Sequence, residues 1–156
     1  MSNNLQKIFI DSSILVEFKK QTRTDLLMGL LANPRIEPVI SHTILSEYTY
    51  HLLAIEGQRS PRSIKESGSI AAMLLRDNPF SLFSIFSLTP TSEEISSVFL
   101  DMMSKYNLLP NDALILADCK LNKIDFLASY DVKDFAKACE QESIRLVSSI
   151  SDMPLI

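Results

Sequence analysis

The chain has 156 residues, a length that suits one ordinary domain, and its 46% hydrophobic and 22% charged residues describe a globular chain, not a disordered one. A domain of this size buries roughly 68–70% of the surface its unfolded chain exposes, so it needs neither a disulfide framework nor a structural metal. The net charge of −4 counts against a protein that grips nucleic acid chiefly by neutralising phosphates, although a divalent cation reverses the sign of an acidic pocket and leaves a nuclease possible.

Residues 7–10 read as a short buried strand through Ile8, Phe9 and Ile10, followed at once by Asp11-Ser12-Ser13. Ile14, Leu15 and Phe18, then Leu26, Leu27, Leu30 and Leu31, continue at helical spacing. Strand, polar turn and helix open a βα unit. Asn33-Pro34 breaks the helix. Residues 38–41 are a second strand, and Ser41 or Thr43 caps a helix with Leu45, Tyr48, Leu52 and Ile55 on one face. Glu47 lies in that helix, off the apolar stripe.

Residues 56–68 form a polar connector with Arg59, Arg62 and Lys65, and its second half leads into a helix through Ile70, Met73, Leu74 and Leu75. Asn78-Pro79 stops that helix, and residues 80–88, rich in Phe and Ile, read as a third strand. Thr91 and Glu94 match a capping box for a helix carrying Ile95, Val98, Phe99, Met102 and Met103. Leu109-Pro110-Asn111-Asp112 leads into an apolar helix over 113–121. A fourth strand over 125–129, a helix over 132–140 and a last strand over 144–148 follow. The tail from 149 to 156 is expected to be irregular or a partner contact.

Strands alternating with helices predict an α/β fold: a three-layer α/β/α domain over 1–156, core about 7–147, with a central, mainly parallel sheet. Cys119 and Cys139 are expected to be buried small hydrophobes, and two cysteines without zinc spacing fit a reducing, cytoplasmic location. No run reaches the ~18 apolar residues of a membrane span, and the short polar stretch 1–6 is no signal peptide.

Ligands in such sheets bind beyond the carboxyl ends of the strands. Asp11 follows the first strand, Glu47 lies about a turn into the helix after the second, and Asp131 follows the fourth. Asp112 begins the helix before the fourth strand, so strand order alone does not place it. Each acid has a structural reading of its own: Asp11 and Asp131 as turn residues, Glu47 as a solvated helix residue, Asp112 as an acid favoured by a helix N-terminus. Together they suggest more. Carboxylates packed closely repel unless a cation is present, and Mg²⁺ and Mn²⁺ favour hard oxygen ligands.

The segments Ile8-Phe9-Ile10-Asp11-Ser12-Ser13, Ser46-Glu47, Asn111-Asp112-Ala113-Leu114-Ile115-Leu116-Ala117 and Ala128-Ser129-Tyr130-Asp131-Val132-Lys133-Asp134-Phe135 resemble the successive motifs of the PIN domain family. More narrowly they resemble VapC-like toxins of toxin–antitoxin pairs, from about residue 7 to 147. The resemblance implies a Mg²⁺- or Mn²⁺-dependent endoribonuclease in which water attacks an RNA phosphodiester. It implies Asp11, Glu47 and Asp112 as the regular acids and Asp131 as the more variable fourth. It implies Ser13 as a brace for Asp11; a helix-entry cap is an equal reading. It also implies a homodimer and an antitoxin partner that covers the acidic groove. Ser129 stands where many relatives carry Thr, and Asp134-Phe135 reads as structural.

His42 and His51, nine residues apart, share no helical repeat and read as surface or interface residues. Arg59, Arg62 and Lys65, or Lys19, Lys20 and Arg23, could follow a phosphate backbone, with a solvated face as the simpler reading. Met102 and Met103 read as core or dimer contacts. With only Gly29, Gly57 and Gly68, no glycine-rich phosphate loop exists. Two alternatives stay open: an inactive PIN binding module, and a PIN nuclease of RNA processing without an antitoxin.

Overall fold

A computed structural model describes residues 4–155; positions 1–3 and 156, which carry parts of the expected polar start and irregular tail, lie outside the described residues. Five strands, β1 (Gln6–Ile10), β2 (Ile36–Ile40), β3 (Ser87–Leu88), β4 (Phe126–Ala128) and β5 (Arg145–Val147), form one sheet in the order β3-β2-β1-β4-β5. Every pairing is parallel. Central strands of such a sheet are covered on both faces and cannot alternate polar with apolar residues. Ile8, Phe9 and Ile10 are accordingly all fully buried.

The helices are α1 (Ser12–Lys20), α2 (Asp25–Ala32), α3 (His42–Gly57), α4 (Pro61–Glu66), α5 (Ile70–Arg76), α6 (Phe80–Phe83), α7 (Ile95–Tyr106), α8 (Pro110–Leu121) and α9 (Val132–Gln141). Right-handed crossovers send the β1–β2 and β4–β5 connections to opposite faces. In keeping with that, α1 packs on α2 and α3, whereas α8 packs between α7 and α9. The three-layer α/β/α expectation is met. In α8, Ala113, Ile115, Leu116, Ala117 and Cys119 are all fully buried. Cys119 and Cys139 are free and buried, as expected, and burial pushes the Cys139 thiol up to about 12.

Several expectations need correction. Residues 80–88 are not one strand. Asn78 Oδ1 accepts the Phe80 N–H at 3.0 Å, and Phe83 and Ser84 donate to the carbonyls of Pro79 and Phe80. That turn closes α6 and puts Phe83 edge-on against Tyr48 at 5.6 Å between ring centres. Only Ser87 and Leu88 remain to pair as a short edge strand. The connector 56–68 is partly helical: Ser60 caps α4 by accepting the Ser63 N–H, with Pro61 in the first turn. The first helix divides at Gln21, whose φ of 57° ends α1. The Thr91 capping box does not form, because Ser92 Oγ takes the Glu94 N–H and α7 starts at Ile95. The tail, expected to be irregular, carries one 3-10 turn (Ile150–Asp152) with a Ser149–Asp152 capping box that packs on α2, and residues 153–155 form no helix or strand.

Candidate active site at the switch point of the sheet

Strand order decides where a crevice can open. From β1 the chain crosses to β2 on one side, whereas β4 lies on the other. Connections that leave in opposite directions cannot both fill the space above the strand ends, so a crevice is left there. Asp11 directly follows β1 and Ser129 directly follows β4, with the Asp11 N–H held by the Ala128 carbonyl at 2.9 Å.

Asp11 is 2% exposed. Its Oδ2 accepts the hydroxyls of Ser13 at 2.6 Å and Ser129 at 2.7 Å. Each hydroxyl in turn accepts a backbone N–H at 3.0 Å, Ser13 from Tyr130 and Ser129 from Asp131. Both hydroxyl protons are thus committed to Asp11, although the two oxygens lie 3.3 Å apart. One carboxylate oxygen is fixed by this web, and Oδ1 is left without a donor among the described hydrogen bonds.

Glu47 reaches the same region from α3. Ser12 Oγ donates to its Oε2 at 3.2 Å and Asn111 Nδ2 to its Oε1 at 3.1 Å. Burial raises its pKa and the Asp11 charge adds to that, while the two donors work against it. Asp112, in the first turn of α8, is pushed up to about 6, first by burial and then by Asp11, Asp134, Glu47 and Asp131. Asp131 precedes α9 and is exposed overall, but partial desolvation of its carboxyl, then the charges of Asp11 and Asp134, raise its pKa. Asp11 thus acts electrostatically on each of the other three sequence-selected acids, and Asp112 feels all of them together with Asp134. No hydrogen bond from the protein reaches the carboxylates of Asp112 or Asp131 among the described contacts.

The donor set suits a hard cation, because it is all oxygen and its charge is uncompensated. Among the described residues, however, no three acidic, His or Cys side chains are gathered closely enough to hold a metal ion as they stand. Mg²⁺ does not require that, since it keeps several waters and takes one or two carboxylates. A groove of about 420 Å³ opens beside the acids and is lined by Ser12, Ser13, Glu47, His51, Tyr130 and Asp131, among others.

The roles of three residues of this region escape sequence reasoning. Ser129 is fully buried and holds Asp11; its signal is its place after β4, which matters only once β4 is known to flank β1. Asn111 reads as a helix start and proves to be a Glu47 donor. His51 is exposed, and it lines the groove because it stands four residues after Glu47 on the same face of α3. His42 instead borders a separate cavity of about 130 Å³ with Ser41 and Asp118. Met102 is core, and Met103 packs against it. Among the basic candidates, Lys19 is paired with Glu56 at 2.6 Å and Asp77 at 2.5 Å, Arg62 is paired with Glu66, and Arg59 donates to Ser67 and Ser69.

The PIN domain model matches residues 8–141. Ribonuclease VapC2 of Methanocaldococcus jannaschii is 33% identical over 141 residues, 90% of this chain and 94% of that protein. Ribonuclease VapC6 of the same organism is 27% identical over 140 residues, covering 83% and 91%. Among solved structures, a toxin–antitoxin complex from Klebsiella pneumoniae contains a similar chain, with TM-score 0.57, 20% identity and 90% and 96% covered. Another is VapBC2 from Rickettsia felis bound to a DNA fragment from their promoter, with TM-score 0.56, 15% identity and 85% and 92% covered. These structural likenesses concern the fold.

Proposed function

The chain belongs to the PIN domain family, and on that premise we propose that it is a Mg²⁺- or Mn²⁺-dependent endoribonuclease, the toxin of a toxin–antitoxin pair. The observation that carries this reading is the acid group around Asp11, with Asp112 pushed up to about 6 and no donor to compensate it among the described residues. The names of the two curated relatives support the ribonuclease, and the two solved complexes support an antitoxin partner.

In this reading Asp11 and Asp112 are the direct metal ligands. Glu47 and Asp131 complete the site through water or a second ion. The bound cation supplies an activated water and stabilises charge developing on the phosphodiester. The chain's own residues fix the geometry. Ser13 and Ser129 lock Asp11 through Oδ2 and leave Oδ1 to face a ligand. Ser12 and Asn111 hold Glu47 from α1 and α8, so two helices set its direction. Preorganisation of this kind spares the reorganisation that a flexible carboxylate would require in the transition state.

A homodimer belongs to the same reading. Leu75 and Phe80, 85% and 73% exposed beside α3, offer an apolar surface for association. No described helix is long and apolar enough to cross a membrane.

The test is the chemistry of the cut ends. Cellular RNA treated with the protein and Mn²⁺ is expected to yield fragments without 2′,3′-cyclic phosphate, because water and not the ribose 2′-hydroxyl attacks. Cyclic phosphate ends would contradict the mechanism. The antitoxin is tested separately: a small adjoining reading frame whose product co-purifies with this chain and blocks cutting is expected. Its absence from an active nuclease would favour a role in RNA processing.

A further inference from the structure

The sequence offers three cations, Lys19, Lys20 and Arg23, in the stretch after Asp11. They have different fates in the fold. Lys19 is tied to Glu56 and Asp77. Lys20 is exposed and does not line the groove. Arg23 is exposed, lines the same groove as Ser12, Ser13, Glu47 and Asp131, and has no carboxylate partner within 4 Å among the described ion pairs.

Its position is held by stacking. The Arg23 guanidinium carbon sits 4.7 Å from the centre of the Tyr130 ring. A guanidinium over an aromatic face is attracted by the ring quadrupole and keeps its N–H edge free for a planar acceptor. Tyr130 is itself fixed to the acid centre, because its N–H donates to the Ser13 hydroxyl that braces Asp11. One stacking contact and two hydrogen bonds, through the Tyr130 backbone and Ser13, therefore link the guanidinium to Asp11. Among the described residues Arg23 is the only lysine or arginine lining the groove, against Glu17, Glu47 and Asp131 on the same walls.

We propose that Arg23, stacked on Tyr130, anchors an RNA phosphate flanking the one that is cut. The proposal rests on the nuclease reading. A net charge of −4 works against holding RNA by general attraction, so one preorganised guanidinium in the groove sets where the strand lies. The fork geometry matches a phosphodiester with two parallel N–H···O bonds. The cation also offsets the repulsion that the acids exert on an approaching strand.

The experiment is fluorescence anisotropy of a labelled single-stranded RNA oligonucleotide of mixed sequence, in Ca²⁺, over a salt series. Wild type, Arg23→Ala, Arg23→Lys and Lys20→Ala are compared, with thermal melts to confirm folding. Arg23→Ala is expected to lose about tenfold in affinity, and its log K against log salt slope to flatten by about 0.7, the value for one single-strand phosphate contact. Arg23→Lys keeps the charge but loses the fork, so it is expected to restore the slope and only part of the affinity. Lys20→Ala is expected to match wild type. If Arg23→Ala binds with wild-type affinity and slope, the anchor is wrong and the nuclease reading stands. If wild type binds no RNA, both fall together.

Discussion

Ser129 donates its hydroxyl to Asp11 at 2.7 Å across 118 positions of sequence, and that bond spans the switch point between β1 and β4. It joins two strand ends that are neighbours only because the sheet order is β3-β2-β1-β4-β5. The same hydroxyl accepts the Asp131 N–H, so one side chain orients two of the four acids.

Ser129→Ala removes that link at a fully buried position. It leaves the Asp131 N–H without its partner and Asp11 with Ser13 alone. A loss of about 1–2 kcal/mol in urea unfolding is expected, together with about a tenfold fall in cleavage rate. Wild-type stability and rate together would show that the hydroxyl holds nothing.

Asp112→Asn removes one charge from a group in which Asp11, Asp134, Glu47 and Asp131 all oppose it. In EDTA near neutral pH the variant is expected to unfold at or above the wild-type urea midpoint, because repulsion among carboxylates is relieved at nearly constant volume. A clear loss of stability in EDTA would mean that Asp112 is held by a favourable contact, contrary to the site described.

Glu142 ties three helices. Its carboxylate, 8% exposed, accepts from Tyr106 at 2.5 Å, Lys120 at 2.9 Å and Lys105 at 3.3 Å. Burial opposes its charge, but these donors outweigh it and lower its pKa. A lowered folded pKa gives stability that is present above the ordinary carboxylate value and lost as pH falls through the folded one. Glu142→Gln is thus expected to cost about 1–2 kcal/mol at pH 7, with the deficit fading below about pH 4. A deficit that is the same at pH 3 and pH 7 would contradict the ionic account.

Lys19 bridges Glu56 at the end of α3 and Asp77 after α5. Partial burial works against its charge, yet the two carboxylates outweigh it and raise its pKa. Lys19→Met leaves those carboxylates facing each other and is expected to cost about 1 kcal/mol without changing RNA cleavage. A cleavage defect without a stability defect would move Lys19 into the substrate path.

The buried strands and the acids next to them were legible because local pattern carries them: Ile8-Phe9-Ile10 before Asp11, and Asp112 after Pro110. Residues 80–88 were not legible. Their aromatic richness suits a strand, but Asn78 and Pro79 start a helical turn that composition does not reveal. The contacts of Ser129 and Asn111 are not legible for another reason. Each serves an acid distant in sequence, and only tertiary pairing brings them together. Arg23 and Lys19 look alike in sequence, and the packing of Tyr130, Glu56 and Asp77 separates them.

The most direct measurement is cleavage of a mixed cellular RNA pool by the purified protein, freed of any partner, in Mn²⁺ and in EDTA, beside Asp112→Asn. Cutting by wild type in Mn²⁺, abolished by EDTA and by the substitution, is expected if the acids around Asp11 form a metal-dependent ribonuclease site. Cutting that persists in EDTA or in folded Asp112→Asn, or no cutting by folded wild type, would contradict it.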